Sequence, residues 1–214
     1  MIKGVIFDFD GTLTELTIDF SFVRGEIEKI ARKYVGDEEI KSQEGQYILE
    51  MINGVEERLG GIVSEFKREA FEELRTLELR ASDGKGVYPY TREVLKKLKD
   101  KGIKVGIFTR THLDVVLHVF PDIRDFVEVI VTRDDVERVK PHPDHASEVL
   151  RLLGVRPEEA LVVGDHPTDI ESGQAISAMS AAVLTGRTTR KIFEEVGATY
   201  ILSDVRGVLD VLDR

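Results

Sequence analysis

The sequence predicts an α/β fold: a Rossmann-like, mostly parallel sheet with helices on both faces, carrying a small all-helical domain inserted after the first strand. Three observations predict it. A short apolar strand, "GVIFDF" at 4–9, opens the chain and stops at Gly11. From residue 91 onward helical patterns alternate with short apolar runs, as right-handed crossovers in a parallel sheet require. Between the two lies a stretch with helical periodicity alone.

In that middle stretch, Phe20, Val23, Ile27, Ile30 and Tyr34 recur at three- and four-residue steps and predict one amphipathic helix. Tyr47, Met51 and Val55 predict a second, ending near "LGG" at 59–61, and Val63, Phe66, Ala70, Leu74 and Leu77 a third. "SDGKG" at 82–86 is a turn-rich exit. The helix "TREVLKKLKDKG" then leads to strand 103–108, a helix around 112–120 to strand 127–132, and helix 143–153 to strand 160–164. Helix 169–177 leads to strand 180–185, and a last strand "TYILS" is followed by "DVRGVLDVL". The domain boundaries follow: a core of 1–15 and 87–214, with residues 16–86 as the helical insertion. Gly4 and Gly106 read as packing positions inside strands.

Composition limits the function. The 214 residues are enough for a full core, and 42% hydrophobic with 33% charged residues is globular. A net charge of −10 argues against a nucleic-acid surface, though not against a small anion at a site with its own local charges. The absence of cysteine removes any disulfide framework or Cys-based zinc site. No apolar run is long enough to span a bilayer, and the N-terminus lacks a signal-peptide pattern. The expectation is therefore a cytoplasmic protein without a membrane partner. A single asparagine, Asn53, amid abundant Glu, Lys and Arg matches the bias of heat-adapted proteins. Oligomeric state is not legible.

In open parallel sheets ligands bind beyond the carboxyl ends of the strands. The polar residues collected there are Asp8, Asp10, Gly11 and Thr12 after the first strand, and Thr109 and Arg110 after the second. Lys140 follows the third strand, and Asp165 and Asp169 the fourth. Adjacent carboxylates repel, so Asp8 and Asp10 call for a proton or a cation. Asp8, Asp165 and a backbone carbonyl near Asp10 are hard oxygen ligands suited to Mg²⁺. Asp8 is then placed to attack phosphorus and form an aspartyl-phosphate. Asp10 is placed to protonate the leaving oxygen and later deprotonate water. Thr109 would hold phosphoryl oxygens and Lys140 oppose their charge, which is the positioning and electrostatics that phosphoryl transfer needs.

"DFDGTLT", "IFTRT", "VKPHPD" and "VVGDHPTD", in that order, resemble the four motifs of the haloacid dehalogenase-like superfamily. The helical insertion resembles the cap of its phosphoglycolate phosphatase-like and β-phosphoglucomutase-like members by position and helicity. The resemblance implies Asp8 as nucleophile and Mg²⁺ ligand, and Asp10 as general acid/base whose carbonyl also binds Mg²⁺. It implies Thr109 in phosphate binding, with Arg110 beside it on the substrate, and Lys140 stabilising nucleophile and phosphoryl group. Asp165 becomes the remaining carboxylate ligand, and Asp169 a ligand or an organiser of the metal's waters. The second Asp of "DFDGT" favours a phosphatase or a phosphomutase over a dehalogenase. The expected substrate is a small phosphomonoester, of phosphoglycolate or sugar-phosphate type, with nucleotides and pyrophosphate also open and Arg24, Lys41 and Arg58 as candidate cap contacts.

Simpler readings compete residue by residue. Asp8 and Asp10 alone would suit a turn, Thr109 an N-cap, and Asp165 and Asp169 the start of a helix. Their joint order is what outweighs these. His142, His145 and His166 lie near the site, but Pro143 separates the first two and no "HExxH" occurs, against zinc. A receiver-like signalling module would also gather Asp, Thr, Lys and Mg²⁺, but it carries its acidic pair first and no helical insertion after the first strand.

Overall fold

The computed structural model describes residues 1–60 and 64–213. The chain forms two compact units, Met1–Leu16 with Gly84–Arg214, and Thr17–Asp83.

The larger unit is built on six parallel strands: β1 Gly4–Phe7, β2 Lys104–Phe108, β3 Val129–Val131, β4 Ala160–Gly164, β5 Met179–Val183 and β6 Tyr200–Leu202. Their order is β3-β2-β1-β4-β5-β6. β1 is therefore central, and the winding reverses there, where β2 and β4 flank it. Its four residues are all buried, the continuous apolar run of a strand covered on both faces. Alternation sends Val5 and Phe7 to one core layer and Ile6 to the other.

The helices of the smaller unit come first in the chain: α1 Phe20–Ala31, α2 Asp37–Lys41, α3 Ile48–Arg58 and α4 Glu65–Ala81. Asp19 caps α1 by accepting from the Ser21 and Phe22 N–H groups, each at 3.0 Å. Val23, Ile27, Met51, Ile52, Val55, Phe66, Ala70 and Leu74 are among this unit's buried residues. Arg24 braces the unit internally, donating to the carbonyls of Gln46 at 2.7 Å and Gln43 at 2.9 Å.

In the larger unit, α5 Thr91–Asp100, α6 Leu113–Val119 and α10 Gly207–Leu212 cover one sheet face with Leu95, Val116 and Val208. α7 Pro143–Leu153 covers the other with Ala146, Val149 and Leu150. α8 Pro167–Ala175 and α9 Arg190–Glu195 continue that layer through Ile170 and Phe193. Among the described residues no helix is long and apolar enough to cross a membrane.

Several boundaries differ from the sequence reading for physical reasons. β1 ends at Phe7 rather than residue 9, because the chain turns after Asp8. Phe9 lies beyond the strand yet is fully buried, which lengthens the apparent run. Tyr34 lies past the end of α1, and Tyr47 is the N-cap of α3. α8 begins at Pro167, since Pro suits the first helical position. The short helices α2 and α9 escaped prediction because each buries one large apolar residue, Ile40 and Phe193, and so shows no stripe. Val63 of the third predicted helix and Gly61 of "LGG" lie outside the described residues.

Gly106 lets β2 approach α7 closely: a Cβ there would lie 2.4 Å from Val149 Cγ1. Gly106→Ala is expected to cost about 1–3 kcal/mol by overpacking. The check is a lower urea midpoint at unchanged slope; an unchanged midpoint would contradict the close approach.

Candidate active site

Strand ends bring Asp8 and Asp165 together. Asp8 follows β1 and its N–H still donates to Val163 O at 2.8 Å, which ties it to β4. Asp165 follows β4. Thr12 Oγ1 lies 3.3 Å from both Asp8 Oδ2 and Asp165 Oδ1, so one hydroxyl hydrogen serves two carboxylates. Asp169, on the first turn of α8, completes the group, and one carboxylate oxygen from each of the three lies within 4.8 Å of the others. All three are buried. Backbone without side chains makes the room. A Cβ on Gly11 would meet Asp165 Oδ2 at 2.3 Å, and Gly11 also adopts a φ of 83°. A Cβ on Gly186 would stand 1.8 Å from the same oxygen.

Lys140 is the counter-charge in direct contact. Its buried ammonium donates to Asp8 Oδ1 and, at 2.7 Å, to Asp169 Oδ1. It also stands 4.3 Å from the Phe108 ring centroid, over the face. Asp169 Oδ2 in turn accepts from the His166 N–H at 2.9 Å, so this carboxylate caps α8 and anchors Lys140 at once. Burial opposes the charge on Lys140, yet Asp169 and Asp8 outweigh it and its pKa is raised. Burial is also the main force on Asp8, whose pKa is raised although Lys140 works the other way. Asp165 is raised by burial and then by the Asp8 and Asp169 charges. Among the described residues, three buried carboxylates face one contacting ammonium, and the excess negative charge must be offset by a proton or a cation. All the donor atoms are hard carboxylate oxygens, the set that suits a divalent cation such as Mg²⁺.

Asp10 sits in the turn after Asp8, with Oδ1 accepting from Lys85 Nζ at 2.6 Å and Oδ2 from Thr111 Oγ1 at 2.7 Å. Thr109 is buried at the end of β2. Its N–H donates to Val131 O at 3.0 Å, and its Oγ1 accepts from the Thr111 N–H at 3.1 Å. Arg110 turns a guanidinium nitrogen, Nη1, onto Lys140 O at 3.2 Å, and its own carbonyl accepts from Arg133 at 3.0 Å. Asp8, Asp165, Asp169 and Lys140 thus meet directly, while Thr111 links Asp10 to Thr109 and Arg110 reaches the Lys140 main chain.

The histidines have other work. His142 Nδ1 caps α7 at the Asp144 N–H (3.2 Å), and His166 Nδ1 lies 3.0 Å from Thr168 Oγ1. His145 is fully buried between Lys140 N and Val131 O. Among the described residues the group that could hold a metal ion is the Asp8, Asp165 and Asp169 cluster. Of the proposed cap contacts, Arg24 is occupied within its own unit, and Lys41 and Arg58 are exposed.

Sequence reasoning missed Lys85 and Thr111, and it placed His145 near the site only as a zinc ligand to be set aside. Lys85 hides in "DGKG", where flanking glycines read as a turn, yet its side chain is only 3% exposed. Thr111 had a signal, the second Thr of "IFTRT" two residues past a strand end.

The chain matches the haloacid dehalogenase-like hydrolase family profile over residues 2–177. Pyrophosphatase PpaX of Oceanobacillus iheyensis is 25% identical over 218 residues, covering 99% of this chain and 97% of that protein. The PpaX of Bacillus cereus is 38% identical over 128 residues, 58% of this chain and 59% of that protein. A hydrolase structure from Pseudomonas syringae aligns with a TM-score of 0.73 at 25% identity, covering 99% of this chain and 98% of that one. A provisional β-phosphoglucomutase from Thermotoga maritima aligns with a TM-score of 0.65 at 25% identity, covering 99% of each chain.

The raised acids set a pH dependence. Above the ordinary carboxyl value of 3.8 and below their raised values, Asp8 and Asp165 keep protons in the folded chain that the unfolded chain has lost. Stability without a cation therefore falls as pH rises through that window. Asp165→Asn should raise the neutral-pH melting temperature in EDTA, by about 2–4 °C per kcal/mol of protonation cost removed, and flatten the pH slope. Thermal melts across the window check this; a variant melting below wild type at neutral pH would contradict it.

Proposed function

The chain belongs to the haloacid dehalogenase-like hydrolase family, and on that premise we propose that it is a Mg²⁺-dependent phosphatase of small phosphorylated metabolites, working through an aspartyl-phosphate on Asp8. The observation that carries the reading is the Asp8 carboxylate: buried, paired with Lys140 and clustered with Asp165 and Asp169 at the central strand end. An Asp8 oxygen attacks phosphorus as the bond to the leaving oxygen breaks, and Asp10 gives that oxygen its proton. Asp10 then takes a proton from water, which attacks phosphorus, breaks the bond to Asp8 and releases phosphate. Lys140 keeps Asp8 ionised for attack and opposes the phosphoryl charge, while Thr109 holds phosphoryl oxygens and Arg110 supports the same side.

The carboxylates of Asp8 and Asp165, with the Asp10 carbonyl, would hold Mg²⁺, and Asp169 is assigned to anchoring Lys140 beside it. Bound Mg²⁺ supplies charge neutralisation between the carboxylates and the phosphoryl group. The helical unit Thr17–Asp83 is assigned the role of a cap that reads the leaving group. In support, the chain leaves for it and returns beside Asp10, where Thr14 Oγ1 donates to Gly86 O at 2.9 Å. Inorganic pyrophosphate, already open from the sequence beside phosphoglycolate, sugar phosphates and nucleotides, gains support on two grounds. Relatives carry the name pyrophosphatase, and Lys85 sets an ammonium beside Asp10, the residue assigned to protonate the leaving oxygen. The net charge of −10 and the absence of cysteine support a cytoplasmic enzyme acting on a small molecule rather than nucleic acid or membrane.

Phosphate release from a panel of these compounds, with Mg²⁺ and with EDTA, tests the reading. The expected result is release that requires Mg²⁺ and falls more than about 10³-fold in Asp8→Asn. Release surviving in Asp8→Asn would remove Asp8 as nucleophile. An isomerised sugar phosphate without free phosphate would favour the mutase function suggested by the Thermotoga maritima relative.

A further inference from the structure

His145 is a buried histidine that the phosphatase chemistry leaves unused, and its two ring nitrogens are committed in opposite directions. Nδ1 accepts the Lys140 N–H at 3.2 Å, so the ring proton is on Nε2, which donates to Val131 O at 3.1 Å. Val131 is the last residue of β3, and the same carbonyl accepts the Thr109 N–H at 3.0 Å. One carbonyl with two lone pairs thus joins the backbone of Thr109 to the side chain that holds the backbone of Lys140. The ring also meets Phe108 edge-on, with centroids 5.5 Å apart, and the Lys140 ammonium lies over the Phe108 ring. Arg110 completes the grip by donating to the Lys140 carbonyl at 3.2 Å.

Lys140 lies between β3 and α7 rather than in either, so no ladder fixes its main chain. A lysine side chain is flexible, and aiming its ammonium between Asp8 and Asp169 requires its Cα to be placed by something else. We propose that His145 is a positioning residue: its Nδ1 holds the Lys140 main chain in register with the end of β3, and so keeps the ammonium on Asp8. This deepens the phosphatase reading and rests on it for its effect on rate. Burial, and then the Lys140 charge, push the His145 pKa down to about 3. The ring therefore stays neutral and Nδ1 keeps its acceptor lone pair across the working range.

The test contrasts two neutral amides. His145→Asn puts an oxygen where Nδ1 stands and keeps the bond to Lys140 N. His145→Gln reaches toward Val131 O and loses that bond. The Lys140 ammonium is followed by its ¹H–¹⁵N NMR correlation, assigned by its disappearance in Lys140→Met, and kcat is measured in parallel. The expected result is an ammonium signal kept in His145→Asn and lost or strongly shifted in His145→Gln. With it, kcat should fall about 100-fold in the Gln variant, as for a catalytic group displaced by about 1 Å, and stay within about 10-fold of wild type in the Asn variant. A histidine that only fills space would lower the melting temperature in both variants and leave the ammonium signal unmoved in both, which would overturn the proposal. If wild type releases no phosphate from any substrate, the phosphatase reading has failed, and the NMR contrast still decides the role of His145.

Discussion

Everything around the site depends on a single imbalance: Asp8, Asp165 and Asp169 are buried within 4.8 Å of one another, against one ammonium in contact with them. A buried carboxylate without compensation is costly, and three at this spacing repel as well. The fold offsets part of the cost with Lys140, with the hydroxyl of Thr12 shared between two carboxylates, and with the His166 N–H on Asp169. What is left over is negative charge on hard oxygen atoms, open to a cation. The cluster therefore weakens the cation-free chain and leaves buried carboxylate oxygens where a cation would be held.

The sheet order is what puts these groups in one place. Asp8 and Asp165 come from strands far apart in sequence but adjacent in the sheet, β1 and β4, at the point where the winding reverses. Lys140 arrives from beyond β3, Thr109 from β2, and Asp169 from the first turn of α8. The N–H groups of Asp8 and Thr109 are tied to strand carbonyls and Asp169 belongs to α8, while Lys140, outside sheet and helix, has its main chain held by His145 and Arg110. Glycines at 11 and 186 leave the Asp165 carboxylate the space a Cβ would take.

Much of this was legible in the sequence, because the relevant signals are local. "GVIFDFDGT" shows a buried strand ending in carboxylates, and Thr109 and Asp165 directly follow their strands, while Lys140 comes at some distance from its own. The alternation of strand and helix gave the parallel sheet, and periodicity gave the long helices. The missed parts depend on contacts that no local pattern encodes. Lys85 reads as part of a turn and becomes a partner of Asp10 only when the chain returns at Gly84. His145 read as one of three histidines near the site, set aside as a zinc ligand, and only the fold shows both its nitrogens used on backbone. Asp169 carries an N-capping pattern and a charge partner together, and the partner, Lys140, is 29 residues away. Short helices such as α2 bury too little to print a stripe.

The central claim is that the excess charge of the carboxylate cluster is balanced by a proton in the free chain and by a divalent cation in the working one. Calorimetric titration of the chain with Mg²⁺, repeated in buffers of different ionisation enthalpy near neutral pH, measures binding and proton release together. The account predicts one bound ion per chain with the release of a fraction of a proton up to about one, because the ion displaces what the raised carboxyl groups hold, and loss of both signals in Asp165→Asn. Binding with no proton release, or undiminished binding in Asp165→Asn, would contradict it.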